Sequence, residues 1–421
     1  MTISKLKWML VVFLLAETFF ASYGLLMGNH TAVVSILYIF SGLGFICTML
    51  CLPPAKWPSG KEETRHLLLK IPVALAALFV AWIATRYWIF TIPLDPDFAD
   101  MLPVIKVMNE RFIHGQIADI YAPIPEIWNG TRPIYLPAMW LPYSVAVEGG
   151  FDLRWISSFF VWLAFIIVLL LIPLGKKNIH GWLCLLTAAV LYWWIFSANE
   201  IHGFISMSEE GPVLFYYALL GTAVIARRPW LMGIAAALCM LSRYSLIGWL
   251  VPCLICFMAA KENRKALIFS ATLVGAFIFL YLLPFGFQTL GQMISLPSGY
   301  IHFAKQVWLN SPDVYWLNLG LAKFYGPQHV LSLHRSLITL SLLLPLVFVF
   351  YCLRQKRWNL NNVNAATLKF ALLVFYQFID VPYGYLFYTC SMVSLVFAAG
   401  LLEGAKDQYL PESSISMSSS R

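Results

Sequence analysis

Apolar runs approaching twenty residues recur along the whole chain, and a helix needs about that many to cross hydrocarbon. A chain of this kind must satisfy its backbone polar groups inside helices, because the bilayer core offers them no water. The runs fall at 8–27, 31–52, 71–92, 155–173, 181–198, 212–226, 231–242, 245–260, 266–285, 332–353, 366–380 and 384–402. They predict an all-α, polytopic membrane protein of about twelve helices. With 60% of the 421 residues apolar and 11% charged, no soluble domain of ordinary size fits between them. One transmembrane domain is expected over 1–402, with polar loops at 93–154 and 286–330. The Ser-rich tail, 403–421, has the composition of a disordered cytoplasmic segment.

Charge sets the orientation. With the amino terminus inside, Lys5 and Lys7, the basic residues at 56–70, Lys176 and Lys177, Arg227 and Arg228, the cluster at 261–265 and that at 354–357 all fall on one side. That is the positive-inside pattern, so the net charge of +8 follows topology and does not imply a nucleic-acid partner. The acids Asp95, Asp97, Asp100, Glu209, Glu210 and Asp380 gather on the opposite side. The first run reads as a membrane helix rather than a cleaved signal, since no small-residue cleavage site precedes Glu17 and Tyr23. Most of the eight cysteines lie in apolar runs and read as small hydrophobes.

The parity of crossings requires 231–260 to break into two short helices at LSRYS, which places Arg243 on the outer side or partway into the bilayer. An arginine at that depth is costly and is usually kept for a partner or a wet cavity. The many Trp and Tyr residues read chiefly as interfacial anchors.

The loop after the third run begins LDPDFADMLPVIKVMNERFIHGQ. Phe98, Met101 or Leu102, Ile105, Met108 and Phe112 recur at helical spacing, with Lys106, Asn109, Glu110 and Arg111 on the other face. An amphipathic helix is expected, starting near 97–100 because Pro103 is tolerated only in a first turn, and ending at Gly115. Asp97 and Asp100 have the spacing of a cap and its reciprocal. A capping carboxylate should be a weaker base than usual, because the helix start favours its charge. One acid is thereby explained and another is left over for chemistry. Five prolines between 123 and 142 then force an ordered path, and long ordered loops are commonly functional.

At these residues the chain resembles the C-type (GT-C) multi-pass membrane glycosyltransferases, and in particular bacterial polyprenol-phosphate-mannose-dependent mannosyltransferases. The resemblance rests on an Asp just beyond a membrane helix, the amphipathic DMLPVIKVMNERFIHG, the interval from Gly115 to Tyr121, and YLPAMWLPY. It implies an inverting transferase that moves a sugar from a polyprenyl-phosphate carrier to a hydroxyl of a glycan or glycolipid acceptor. It implies further that the first-loop Asp is the base, and the family's spacing back from Gly115 puts Asp100 first, Asp97 next and Asp95 last. The site would face outward from the cell (inner) membrane and be bathed by membrane lipid.

On that reading the donor phosphate would meet Arg243, Arg335 or Arg132, since arginine clamps phosphate in a bidentate fashion. Lys305 and Lys323 read instead as a solvated surface face, and His302 and His329 as surface or core hydrogen-bonding positions. Tyr121 and Tyr135 fall in the loop motifs, and His202, Glu209 and Glu210 in a second outward loop, as acceptor or loop-site residues. Glu200, His202, Glu209 and Glu210 could bind Mg²⁺ or Mn²⁺, although the chemistry requires no nucleotide and no fixed metal site is assigned. Two rival classes remain: a lipid or solute transporter or flippase, which would bury ionisable residues in its spans, and an O-antigen ligase or polymerase. Glu17 and Arg86 are the main ionisable residues inside apolar spans.

Overall fold

Each apolar run contains a helix in the computed structural model, which describes residues 2–22, 31–54, 63–96, 99–128, 130–175, 178–198, 203–355 and 357–404. In chain order the main helices are α1 (Ile3–Ser22), α2 (Thr31–Cys51), α3 (Glu63–Thr91), α4 (Met101–Ile113), α5 (Arg154–Leu171), α6 (Ile179–Ser197) and α7 (Gly211–Ala226). They continue with α8 (Pro229–Met240), α9 (Ile247–Ala259), α10 (Asn263–Phe277), α11 (Gln288–Asn310), α12 (Val330–Gln355), α13 (Leu360–Gln377) and α14 (Phe387–Gly404). Among the described residues the β content is an isolated bridge between Ile124 and Thr131.

This is a polytopic helical membrane protein. Among the described residues seven helical stretches are long and apolar enough to cross a membrane: those of α2, α3, α5, α6, α10 with its extension to Phe285, α12 and α14. Helices α7, α8 and α9, of 16, 12 and 13 residues, reach only about 18–24 Å at 1.5 Å per residue, against roughly 30 Å of hydrocarbon.

The last helix is the centre of the bundle. Its apolar window in α14 is buried on every side, as a helix without a polar face should be. Helix α7 lies beside it, and the two come close through glycine: a Cβ on Gly400 would lie 2.6 Å from the Ile225 side chain. In lipid, where apolar contact alone gives little preference for another helix, such close packing is what holds helices together.

One ionic contact crosses this interior. Lys369 of α13 pairs with Glu17 of α1, the Ser394 hydroxyl donates to Glu17 at 2.9 Å, and Lys369 also reaches the Cys390 carbonyl at 3.0 Å. Arg86, the other expected intramembrane charge, is instead exposed on α3.

The expected break at LSRYS is present. Helix α8 packs chiefly on α7 and α10, and α9 on α12 and α13. The Leu241 carbonyl at the break accepts from the Ala138 amide at 2.9 Å, which ties it to the proline-rich loop. The aromatic residues depart from the interfacial expectation, since Trp140, Trp249, Tyr143 and Tyr217 are fully buried. Three of the four polar tips find partners, as a buried Trp or Tyr usually does: the Trp249 indole donates to Asn364 Oδ1 at 3.0 Å, Tyr217 bonds Ser245 at 2.6 Å and Tyr143 bonds Ser157 at 2.6 Å, while the Trp140 indole has no partner among the described residues.

Candidate functional site

Helix α4 begins at Met101, one residue after Asp100, and buries Leu102, Ile105 and Met108 on the expected face. Asn109, expected among the polar residues, is also buried; its amide donates to the carbonyls of Ile105 and Trp140 at 2.9 and 3.0 Å. Gly115 follows the helix at a φ of +74°, the left-handed conformation that glycine adopts without penalty. Arg111 then fixes the loop by donating to the carbonyls of Asp119, Ala122 and Pro123.

Asp100 does not behave as a capping acid. Its backbone is already helical and its side chain makes no cap hydrogen bond. The carboxyl is buried instead, and burial, with the charge of Glu209 added, lifts it from 3.8 to about 6. The expected depression is therefore reversed, because loss of water outweighs the helix dipole. Asp97 lies outside the described residues, and Asp95 is exposed.

Glu209 and Glu210 arrive from the short segment ahead of α7. The Ser208 hydroxyl accepts the Glu210 amide at 3.0 Å. Gly211 packs so tightly on α5 that a Cβ would sit 2.4 Å from the Ser157 carbonyl oxygen. The segment thus has little room to move. Arg243 from the α8–α9 break binds Glu210 through Nε, at 3.2 Å, and through Nη2, and lies 3.9 Å from Glu209. Both carboxylates are buried, and Glu209 Oε2 has no hydrogen-bond partner among the described residues. Burial raises the Glu209 carboxyl despite the opposing Arg243 charge.

A third element closes the group. Asp380, in the turn after α13, takes a 2.5 Å hydrogen bond with His334 Nδ1 of α12 through Oδ2, while its Oδ1 is buried without a partner among the described residues. Burial raises this carboxyl and the bond to His334 opposes the rise. The same turn carries Tyr383 and Tyr385, stacked with centroids 5.4 Å apart, and Tyr385 donates to the Met101 sulfur at 3.0 Å. Burial raises the Tyr383 phenol, and Asp100, Tyr300 and Glu209 raise it further. Tyr300 of α11 feels Arg243, Asp380, Glu209 and Asp100 together. Residues from α4, α7, the α8–α9 break, α11, α12 and the 380–385 turn therefore form one buried, acid-rich group.

The remaining expectations divide. Tyr135 joins the group: burial raises its phenol, and Glu209 and Asp100 add to the effect. Tyr121 supports it by donating to the Tyr135 carbonyl at 3.2 Å. Arg132 and Arg335 are exposed. Arg335 follows His334 by one residue, and the roughly 100° per residue of a helix turns one side chain out while the other faces Asp380. Lys305, His302 and His329 are exposed as expected, but Lys323 is buried with its amine 2.5 Å from the Asn318 carbonyl. Burial lowers that amine to about 8. Glu200 and His202 lie outside the described residues, and among the described residues no three His, Cys, Asp or Glu side chains converge as metal ligands. Glu209 and Glu210 face a guanidinium.

Sequence reading did not find His334, Tyr300 or Tyr383. An acid before a proline turn, Asp380, was the visible signal, and its partner is hidden in an apolar run. No family model, curated protein sequence or solved structure matches the chain.

Proposed function

We propose that this protein is an inverting glycosyltransferase that moves a sugar from a polyprenyl-phosphate carrier to an acceptor hydroxyl at the outer face of a cell membrane. The observation that carries this reading is Asp100: a buried carboxyl at the start of an amphipathic helix, released from capping and raised to about 6. A base with that affinity is largely ionised at neutral pH yet takes a proton readily as the acceptor oxygen begins to bond. The acceptor O–H proton passes to the Asp100 carboxylate, the acceptor oxygen bonds the anomeric carbon, and the bond from that carbon to the carrier phosphate breaks. The phosphate leaves with the electron pair. Arg243 is the member of the proposed cation set that lies within the buried group, and an oriented cation at that point stabilises the departing phosphate. Arg132 and Arg335, both exposed, are assigned no part.

The Glu17–Lys369 pair favours a second reading, a transporter or flippase, because buried ion pairs are common on translocation paths. One experiment separates the two. Membranes carrying the protein are supplied with a panel of radiolabelled polyprenyl-phosphate sugars, and label is followed in the lipid, in acceptor and across the bilayer. Transfer predicts label leaving the lipid, abolished by Asp100→Asn at equal protein level. Label that crosses while still attached to lipid, at the same rate in both proteins, refutes it.

A further inference from the structure

Arg86 sits where a charge is hardest to keep. It lies on α3 within the membrane-crossing stretch Leu68–Thr91, five residues before its end, or about 7–8 Å at 1.5 Å per residue. The side chain is exposed rather than turned into the bundle. Among the described residues its recorded contacts are with the rings of Trp82 and Phe90, at 5.5 and 5.6 Å. Cation–π contact steadies a guanidinium but does not neutralise it. Arginine on a bilayer-facing surface is costly unless its guanidinium reaches the headgroup level, where water and lipid phosphates solvate it.

Directly along the same stripe of α3, an open groove of about 590 Å³ runs between α3 and α5, lined by Leu75, Phe79, Trp82, Trp155, Phe159 and Trp162 among others. That volume lies within the roughly 300–1,000 Å³ of ordinary ligand sites. Leu75, Phe79, Trp82, Arg86 and Phe90 succeed one another at steps of three and four, so they share one helix face. The face is therefore apolar for two turns and ends in a cation flanked by aromatic rings. Trp82 belongs to both parts, as a wall of the groove and as a platform for the guanidinium.

We propose that this face binds an anionic phospholipid of the surrounding bilayer, with its phosphate on Arg86 and an acyl chain in the α3–α5 groove. Charge and position carry the assignment: the groove offers an apolar chain a place, and the guanidinium next to it, which meets no carboxylate among the described residues, is complementary to a headgroup phosphate. The site lies in the leaflet at the end of α3 that leads to Asp100. It stands independently of the transferase reading.

The test is native mass spectrometry of the full chain in detergent, titrated with phosphatidylglycerol or phosphatidylcholine. Wild type should retain phosphatidylglycerol about fivefold more tightly, the worth of one basic residue at an anionic surface. Arg86→Gln should remove that preference with unchanged thermal stability, Arg86→Lys should keep most of it, and Trp82→Ala should weaken retention of both lipids. An undiminished preference in Arg86→Gln overturns the proposal. So does disulfide capture of an Arg86→Cys dimer at high yield in lipid nanodiscs, since a second copy would then occupy the face, and so does displacement of phosphatidylglycerol by equimolar polyprenyl phosphate.

Discussion

Replacing Asp100 by Asn should cost activity and raise stability, and the two effects should follow the same proton. The carboxyl is buried, and its rise from 3.8 to about 6 is worth about 3 kcal/mol at 1.36 kcal/mol per pH unit. The folded protein holds this proton more tightly than the unfolded chain does. The ionised carboxylate therefore destabilises the fold: stability is greatest below about pH 4 and falls as pH rises towards 6. An Asn, always neutral, escapes the penalty. Thermal unfolding in detergent should show Asp100→Asn melting a few degrees above wild type at pH 8, with the gap closing by pH 4. In parallel, sugar transfer by wild type should fall about tenfold between pH 7 and pH 5 as the base is titrated, and Asp100→Asn should be inactive throughout. A melting difference that does not change with pH, together with transfer that stays flat from pH 5 to 7, would refute the reasoning.

Two other pairs predict larger losses. Arg243→Gln leaves Glu209 and Glu210 buried without their cation and should cost about 3–5 kcal/mol, seen as loss of the monodisperse peak in size-exclusion chromatography; adding Glu210→Gln should recover much of it. Lys369→Met should likewise abolish a stable fold by stranding Glu17, whereas Lys369→Met with Glu17→Leu should restore the thermal transition to near wild type.

The apolar runs made the helices legible, because membrane helices must satisfy their backbones locally and their side chains report it. The buried face of α4 was legible from its spacing for the same reason. The environment of Asp100 was not. Whether a carboxylate at a helix start caps or is buried depends on what packs over it, here Tyr385 on Met101, a contact between residues 284 apart in sequence. Arg335 has the residue type that best clamps a phosphate, but residue type carries no information about which side of α12 faces Asp380, and His334 is the residue that does. Lys323 was misread for a related reason. A lone lysine in a loop, here in LAKFYG, reads as solvated, and only the turn at Asn318 shows that the amine is enclosed.

The distance in sequence between Glu17 and Lys369, 352 residues, also bears on how the protein is made. A ribosome adding about 5–20 residues per second needs roughly 20–70 s to deliver the lysine after the glutamate. Throughout that interval α1 carries an acid with no counter-ion, and the central helix α14, which supplies Ser394 to the same carboxylate, is later still. The Glu17 carboxyl must therefore stay hydrated or take a proton until α13 joins the bundle. A polypeptide released before α13 lacks the residue that pairs with its Glu17 carboxylate in the finished fold.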